Sequence, residues 1–176
     1  MTTVYVDPQT VHNPSAGGKP PATWGDTVRD DIVSLAKPPM VKVSRSSTQS
    51  IANATLTAVQ FDTEAWDTDA FHSTISNTSR ITIPSGFSGR YLVMGQIIFD
   101  ANATGRRAAY LLLNGATYLA AVNAVPTGAE VSLNLSAEAS AVAGEYLELA
   151  VWQDSGAALN VQSGLNGFSA RLVSWT

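Results

Sequence analysis

An antiparallel β-sandwich or jelly roll is the fold class this sequence predicts, and three observations predict it. Short alternating segments rich in Val, Ile, Leu and Tyr recur from residue 40 to the C-terminus, separated by Gly, Pro and Asn turn signals. Helical periodicity is confined to one stretch near residues 24–35. Residues 88–115, SGRYLVMGQIIFDANATGRRAAYLLLNG, hold two long strands apolar enough to need cover from a second sheet.

The first of those strands places Tyr91, Val93, Ile97 and Phe99 on one face and Leu92, Met94 and Ile98 on the other. A half-solvated strand would alternate more cleanly, so both faces are expected to be covered. The first set is expected to point into the sandwich. The second set, Leu92, Met94 and Ile98, is expected to meet a neighbouring copy of the chain. Gly95 interrupts the run and fits a bulge or a close approach by a neighbouring backbone. Arg106-Arg107 marks a return to the surface. Asn114-Gly115 then reads as a tight turn, because both residues tolerate positive φ.

The remaining strands follow the same logic in order. Val41 and Val43 alternate with Lys42 and Ser44, and Val59 and Phe61 flank Gln60. Residues 80–83 make a short alternator stopped by Pro84 and Gly86. Residues 117–122 form the next strand, and Pro126-Thr127-Gly128 a turn. Val131, Leu133 and Leu135 alternate with Ser132 and Asn134 in the cleanest period-two segment of the chain. Residues 144–153 and 167–175 supply the last two strands.

Residues 1–39 are different. Pro8, Pro14, Pro20-Pro21 and Gly17-Gly18 make an extended arm that cannot pack a core of its own. In TWGDTVRDDIVSLAKPP, Thr23 is an N-cap and Pro38-Pro39 a stop. Trp24, Val28, Ile32 and Leu35 fall on one helical stripe. The stripe is expected to dock on another protein; the rival reading folds it back on its own domain.

Composition narrows the function. Hydrophobic residues make up 45% of the 176 and charged residues only 14%. That charged share is well below the ~25% usual for soluble domains, which favours burial between subunits. A net charge of −4 lacks the basic footprint of a nucleic-acid partner. No run is long enough to span a membrane, and MTTVYVDPQT lacks the features of a signal peptide, so a soluble protein is expected. Without cysteine there is no thiol chemistry and no zinc-thiolate centre.

Candidate chemistry is thin. Asp62, Glu64, Asp67 and Asp69 crowd one stretch and invite Ca²⁺, but the loop glycine and terminal Glu of an EF-hand are missing. Asp69, His72 and Ser73 can be assembled into a triad only by proximity in sequence. Trp66 and Phe71 flank the acidic stretch, either as core aromatics or as platforms for a sugar. No cofactor is expected, and no enzyme.

Two resemblances add to this. RYLVMGQIIF, AAYLLLNG, the block SLNLSAEASAVAGEYLELAVW and the closing GFSARLVSW resemble, in order and spacing, the C1q/TNF-like jelly roll. Gly144-Glu145-Tyr146-Leu147 and Phe168-Ser169-Ala170-Arg171-Leu172 stand for its last two motifs, with Glu145 and Ala170 departing from the pattern. The resemblance covers roughly residues 41–175 and implies ten strands in two antiparallel sheets and a tight homotrimer. The arm, with Trp24, Val28, Arg29 and Asp30 before Pro38-Pro39, is similar to bacteriophage structural proteins in which such a helix precedes a C1q-like head. It implies a place in the virion, as tail, baseplate, fibre or capsid decoration, with other virion proteins as partners. A receptor- or carbohydrate-binding head that recognises a host glycan is the second reading.

Overall fold

The computed structural model describes residues 37–176, which form twelve strands and no helix. The helix expected around Trp24, Val28, Ile32 and Leu35 lies outside the described residues.

In chain order the strands are β1 (Met40–Ser44), β2 (Gln49–Ile51), β3 (Thr57–Ala58), β4 (Thr63–Asp67), β5 (Arg80–Thr82) and β6 (Gly89–Phe99). They continue as β7 (Arg107–Leu113), β8 (Thr117–Ala124), β9 (Val131–Ala141), β10 (Tyr146–Gln153), β11 (Leu159–Val161) and β12 (Gly167–Trp175). Two sheets result. Sheet A runs β2-β11-β6-β12-β1-β4, with β9 on the other flank of β6. Sheet B runs β3-β10-β7-β8, with β5 also paired to β10. Every pairing is antiparallel.

The core lies between the sheets and is built by period-two alternation. Tyr91, Val93, Ile97 and Phe99 of β6 point inward and are fully buried, as their spacing predicts. Leu147, Leu149 and Val151 meet them from β10, and Phe168, Ala170 and Leu172 from β12. Phe61 stacks on Phe168 with ring centroids 5.7 Å apart, and Phe71 meets Tyr91 edge-on at 6.1 Å. The Tyr91 hydroxyl donates to the Phe87 carbonyl; burial, helped by the charge of Asp69, pushes its pKa up.

Two expectations about the central segment are corrected. Gly95 sits in unbroken register with β9 and β12, so it marks no bulge. What approaches it is side chain, not backbone: methyl groups of Leu149 and Leu135 occupy the space a Cβ would need. Arg106 is exposed as expected, but Arg107 is fully buried. Its guanidinium donates to the carbonyls of Thr104 (2.9 Å), Arg106 (3.0 Å) and Asn102 (3.2 Å). Loop 100–106, itself largely exposed, therefore wraps the buried cation with its carbonyls. Burial lowers the Arg107 pKa, and Asp154 partly offsets this.

The turns match their sequence signals. Asn114 and Gly115 adopt φ of 53° and 69°, joining β7 to β8 as the Asn-Gly pair predicts. β9 extends well past the alternating segment of residues 129–135, to Ala141, where small residues continue the same period.

Candidate functional site

The outward face of sheet A gathers the residues the sequence singled out on β6. Three strands, β9, β6 and β12, lie side by side there, and their register sets who meets whom. Leu92 stands between Glu138 and Arg171. Met94 stands between Ser136 and Ser169, and Gln96 between Asn134 and Gly167. The result is an apolar centre of Leu92 and Met94 inside a polar rim that carries both signs of charge. Met94 is 46% exposed and Leu92 half-buried.

Beside Met94 the face dips into an open trough of ≈ 430 Å³, with Lys42, Gln96, Asn134 and Ser136 among its walls. Gly95 and Gly167 help to line it, and neither brings a side chain to fill it. Gly167 leaves the dip open, since nothing lies nearer than 3.7 Å to where its Cβ would be, whereas a Cβ on Gly95 would point into the core at Leu149.

Ile98 does not share this surface. It is only 8% exposed, and its own chain covers it. The Ile98 amide donates to Asn166 Oδ1 at 2.6 Å, and its carbonyl accepts from the Gln162 amide at 2.9 Å. The loop at residues 162–166 therefore closes over the end of β6. Sequence spacing puts Ile98 on the right face of the strand but does not show this loop.

Glu64 and Asp67 of the acidic stretch stand on β4, the edge strand beyond β1, with Asp62 and Asp69 just outside it, and the carboxylates do separate structural work. Asp62 accepts from the amide and hydroxyl of Ser46, both at 2.7 Å. Asp67 accepts from the amides of Asp69, Phe71 and His72. Glu64 meets His72 Nδ1 at 3.0 Å. Among the described residues, no group of three or more acidic, His or Cys side chains is gathered as a metal site would gather them. His72 is also committed on its other nitrogen, 3.2 Å from the Thr78 carbonyl. Ser73 instead makes local contacts with Ile75 and Ser76, so Asp69, His72 and Ser73 are not arranged as a triad. The two flanking aromatics divide: Phe71 is core, while Trp66 is half-exposed beneath the Lys42 ammonium, 5.2 Å from the ring centroid.

No family model matches the chain. No curated protein matches it either. Solved structures do. The globular domain of zebrafish complement 1qA superposes with a TM-score of 0.58 at 15% identity, over 78% of this chain and 99% of that one. Eiger TNF from S. frugiperda gives 0.60 at 15% identity, over 80% and 96%. Murine APRIL gives 0.59 at 11% identity, over 78% and 100%. Identities this low speak for the fold alone: the described residues form an antiparallel jelly roll of the kind found in C1q and TNF domains.

Proposed function

We propose that this chain is a non-enzymatic structural protein of a bacteriophage particle, built as a homotrimer of jelly-roll heads that residues 1–39 anchor to other virion proteins. One observation carries the assembly. The outward face of sheet A has the anatomy of a protein interface, an apolar Leu92–Met94 centre ringed by Glu138, Arg171, Lys42 and Asn134. A ring of three copies needs a heterologous contact, in which this face meets a different surface of the next subunit. The trough beside Met94 supplies a recess for a side chain from that neighbour. The C1q/TNF-like jelly roll and the sequence resemblance both support three copies. The virion assignment rests on the phage-like arm sequence around Trp24, Val28, Arg29 and Asp30.

Trp24, Val28, Ile32 and Leu35 would bury their stripe in a partner, since a helix this short is marginal alone in water. Three linked arms raise binding through effective concentration if their linkers span the sites. Sedimentation equilibrium tests the trimer: the expected mass is that of three 18.5 kDa chains, and a monomer at micromolar concentration overturns it. Removal of residues 1–39 tests the anchor. The truncated protein should stay folded and trimeric yet be missing from purified particles, as should Trp24→Ala in part. Unfolding of the truncated chain would assign the helix to the head instead.

A further inference from the structure

The outward face of sheet B carries a second surface, unconnected with the trough on sheet A. Its side chains alternate in size across the strands. Trp152 on β10 lies opposite Ala108 on β7, and Tyr110 on β7 lies opposite Ala150 on β10 and Ala121 on β8. Each of these two large rings therefore faces a methyl group across the strand pair. Ala108 and Ala150 are buried although they point away from the core, as expected of a floor between raised aromatic walls.

The walls are fixed in place. Tyr110 and Tyr118 meet edge to face, centroids 5.3 Å apart and planes at 80°. The Arg106 guanidinium lies 5.2 Å from the centroid of Trp152. Together with Leu56 and Asn123 these residues line a shallow cleft of ≈ 180 Å³. Tyr118 is 59% exposed at its lip.

The polar rim is met only in part from within. Arg106 forms an ion pair with Asp154, Nε to Oδ2 3.8 Å, too long for a hydrogen bond. The guanidinium donates no hydrogen bond to the described residues, so its N–H groups are open to an acceptor. Planar guanidinium donors pair best with carboxylate, two parallel bonds at a time.

We infer that this cleft binds an acidic saccharide, one pyranose ring resting on the Tyr110, Tyr118 and Trp152 rings with its carboxylate on Arg106. A sugar has the matching duality: an apolar C–H face and an oxygen-rich edge. Asn123 supplies both a donor and an acceptor for ring hydroxyls. The cleft is smaller than the roughly 300–1,000 Å³ of drug-sized pockets. It thus holds one sugar unit while the rest of the glycan runs through solvent. Trp152, Tyr110 and Tyr118 all stand on strands, so the platform is pre-formed and little ordering opposes binding. This inference uses none of the sheet A residues that carry the proposed assembly.

The test is calorimetric titration of the full-length assembled protein with oligogalacturonate and sialyllactose, against maltotetraose and cellotetraose as neutral controls. At least one acidic probe should bind, and Arg106→Gln should weaken it by roughly tenfold or more, the scale of a lost charge-assisted pair. Tyr118→Ala should weaken it comparably, with unchanged sedimentation and melting temperature. Three results overturn the inference: no acidic probe binds at about 10 mM, an affinity too weak for recognition; neutral probes bind as well; or both variants bind like the parent. If Tyr118→Ala dissociates the oligomer, the lip is a subunit contact and the inference fails, while the trimer itself stands.

Discussion

The Leu149 side chain stands over Gly95, its Cδ1 2.8 Å from where a Cβ on residue 95 would lie. One residue belongs to β6 and the other to β10, so the pair spans the sandwich from sheet to sheet. Gly95→Ala should therefore overpack the core. The obstructing atoms are methyl ends that rotate, so the cost should be about 1–3 kcal/mol rather than loss of the fold. Gly89→Ala should cost more, because the obstruction there is the Ser174 carbonyl, which is backbone and cannot turn aside. Urea titrations of both variants check the order.

Met94→Glu should separate assembly from folding. Met94 is exposed in the isolated subunit, so a carboxylate there leaves the head folded. In the proposed trimer the same carboxylate is buried unpaired, at several kcal/mol per subunit. Analytical ultracentrifugation should show folded monomers. An intact trimer with unchanged affinity would move the interface elsewhere.

Arg107→Lys should be far from conservative. The guanidinium serves three carbonyls at once, and a single ammonium cannot reach all of them from the same place. Leaving the buried cation short of acceptors should cost roughly 2–4 kcal/mol. Differential scanning calorimetry reads the loss, and faster hydrogen exchange at residues 100–106 would locate it.

Asp62 gives stability a sign in acid. Hydrogen bonds led by the Ser46 hydroxyl hold its carboxyl below the ordinary 3.8, against a smaller opposing effect of burial. A depressed carboxylate stabilises the fold fully above its unfolded pKa and loses that contribution as pH falls through its folded value. Asp62→Asn should thus be less stable than the parent at pH 6, and the gap should shrink below pH 3.8. A gap that widened in acid would contradict the assignment.

Much of this architecture was legible because period-two burial leaves a mark on long strands. β6, β9, β10 and β12 are recognisable from alternation alone, and Asn114-Gly115 fixed the β7–β8 turn. The short strands β2 and β11 were not visible, while β3 and β5 lie within the segments 55–61 and 80–83 that read as strands; β4 is longer but reads as an acidic loop. Sequence placed Leu92 and Met94 on the outward face correctly, but not the 162–166 loop that covers Ile98. Arg107 misled for a related reason: an Arg doublet marks a surface unless a loop of carbonyls closes around one member. The sheet B cleft escaped notice because its rings come from three strands, and only their register brings Tyr110, Tyr118 and Trp152 together.

β12 lies between β6 and β1 and pairs Met40 with Arg171 and Ser44 with Gly167. β1 therefore has no strand on that flank until residues 167–171 have been made. Such distant pairing slows folding, because the loop must close before any contact rewards it. It also makes β12 a condition of folding. A chain that stops short of β12 lacks the middle of sheet A and leaves β1 and β4 detached from the rest. Any assembly built on that sheet would thus admit only copies that carry β12.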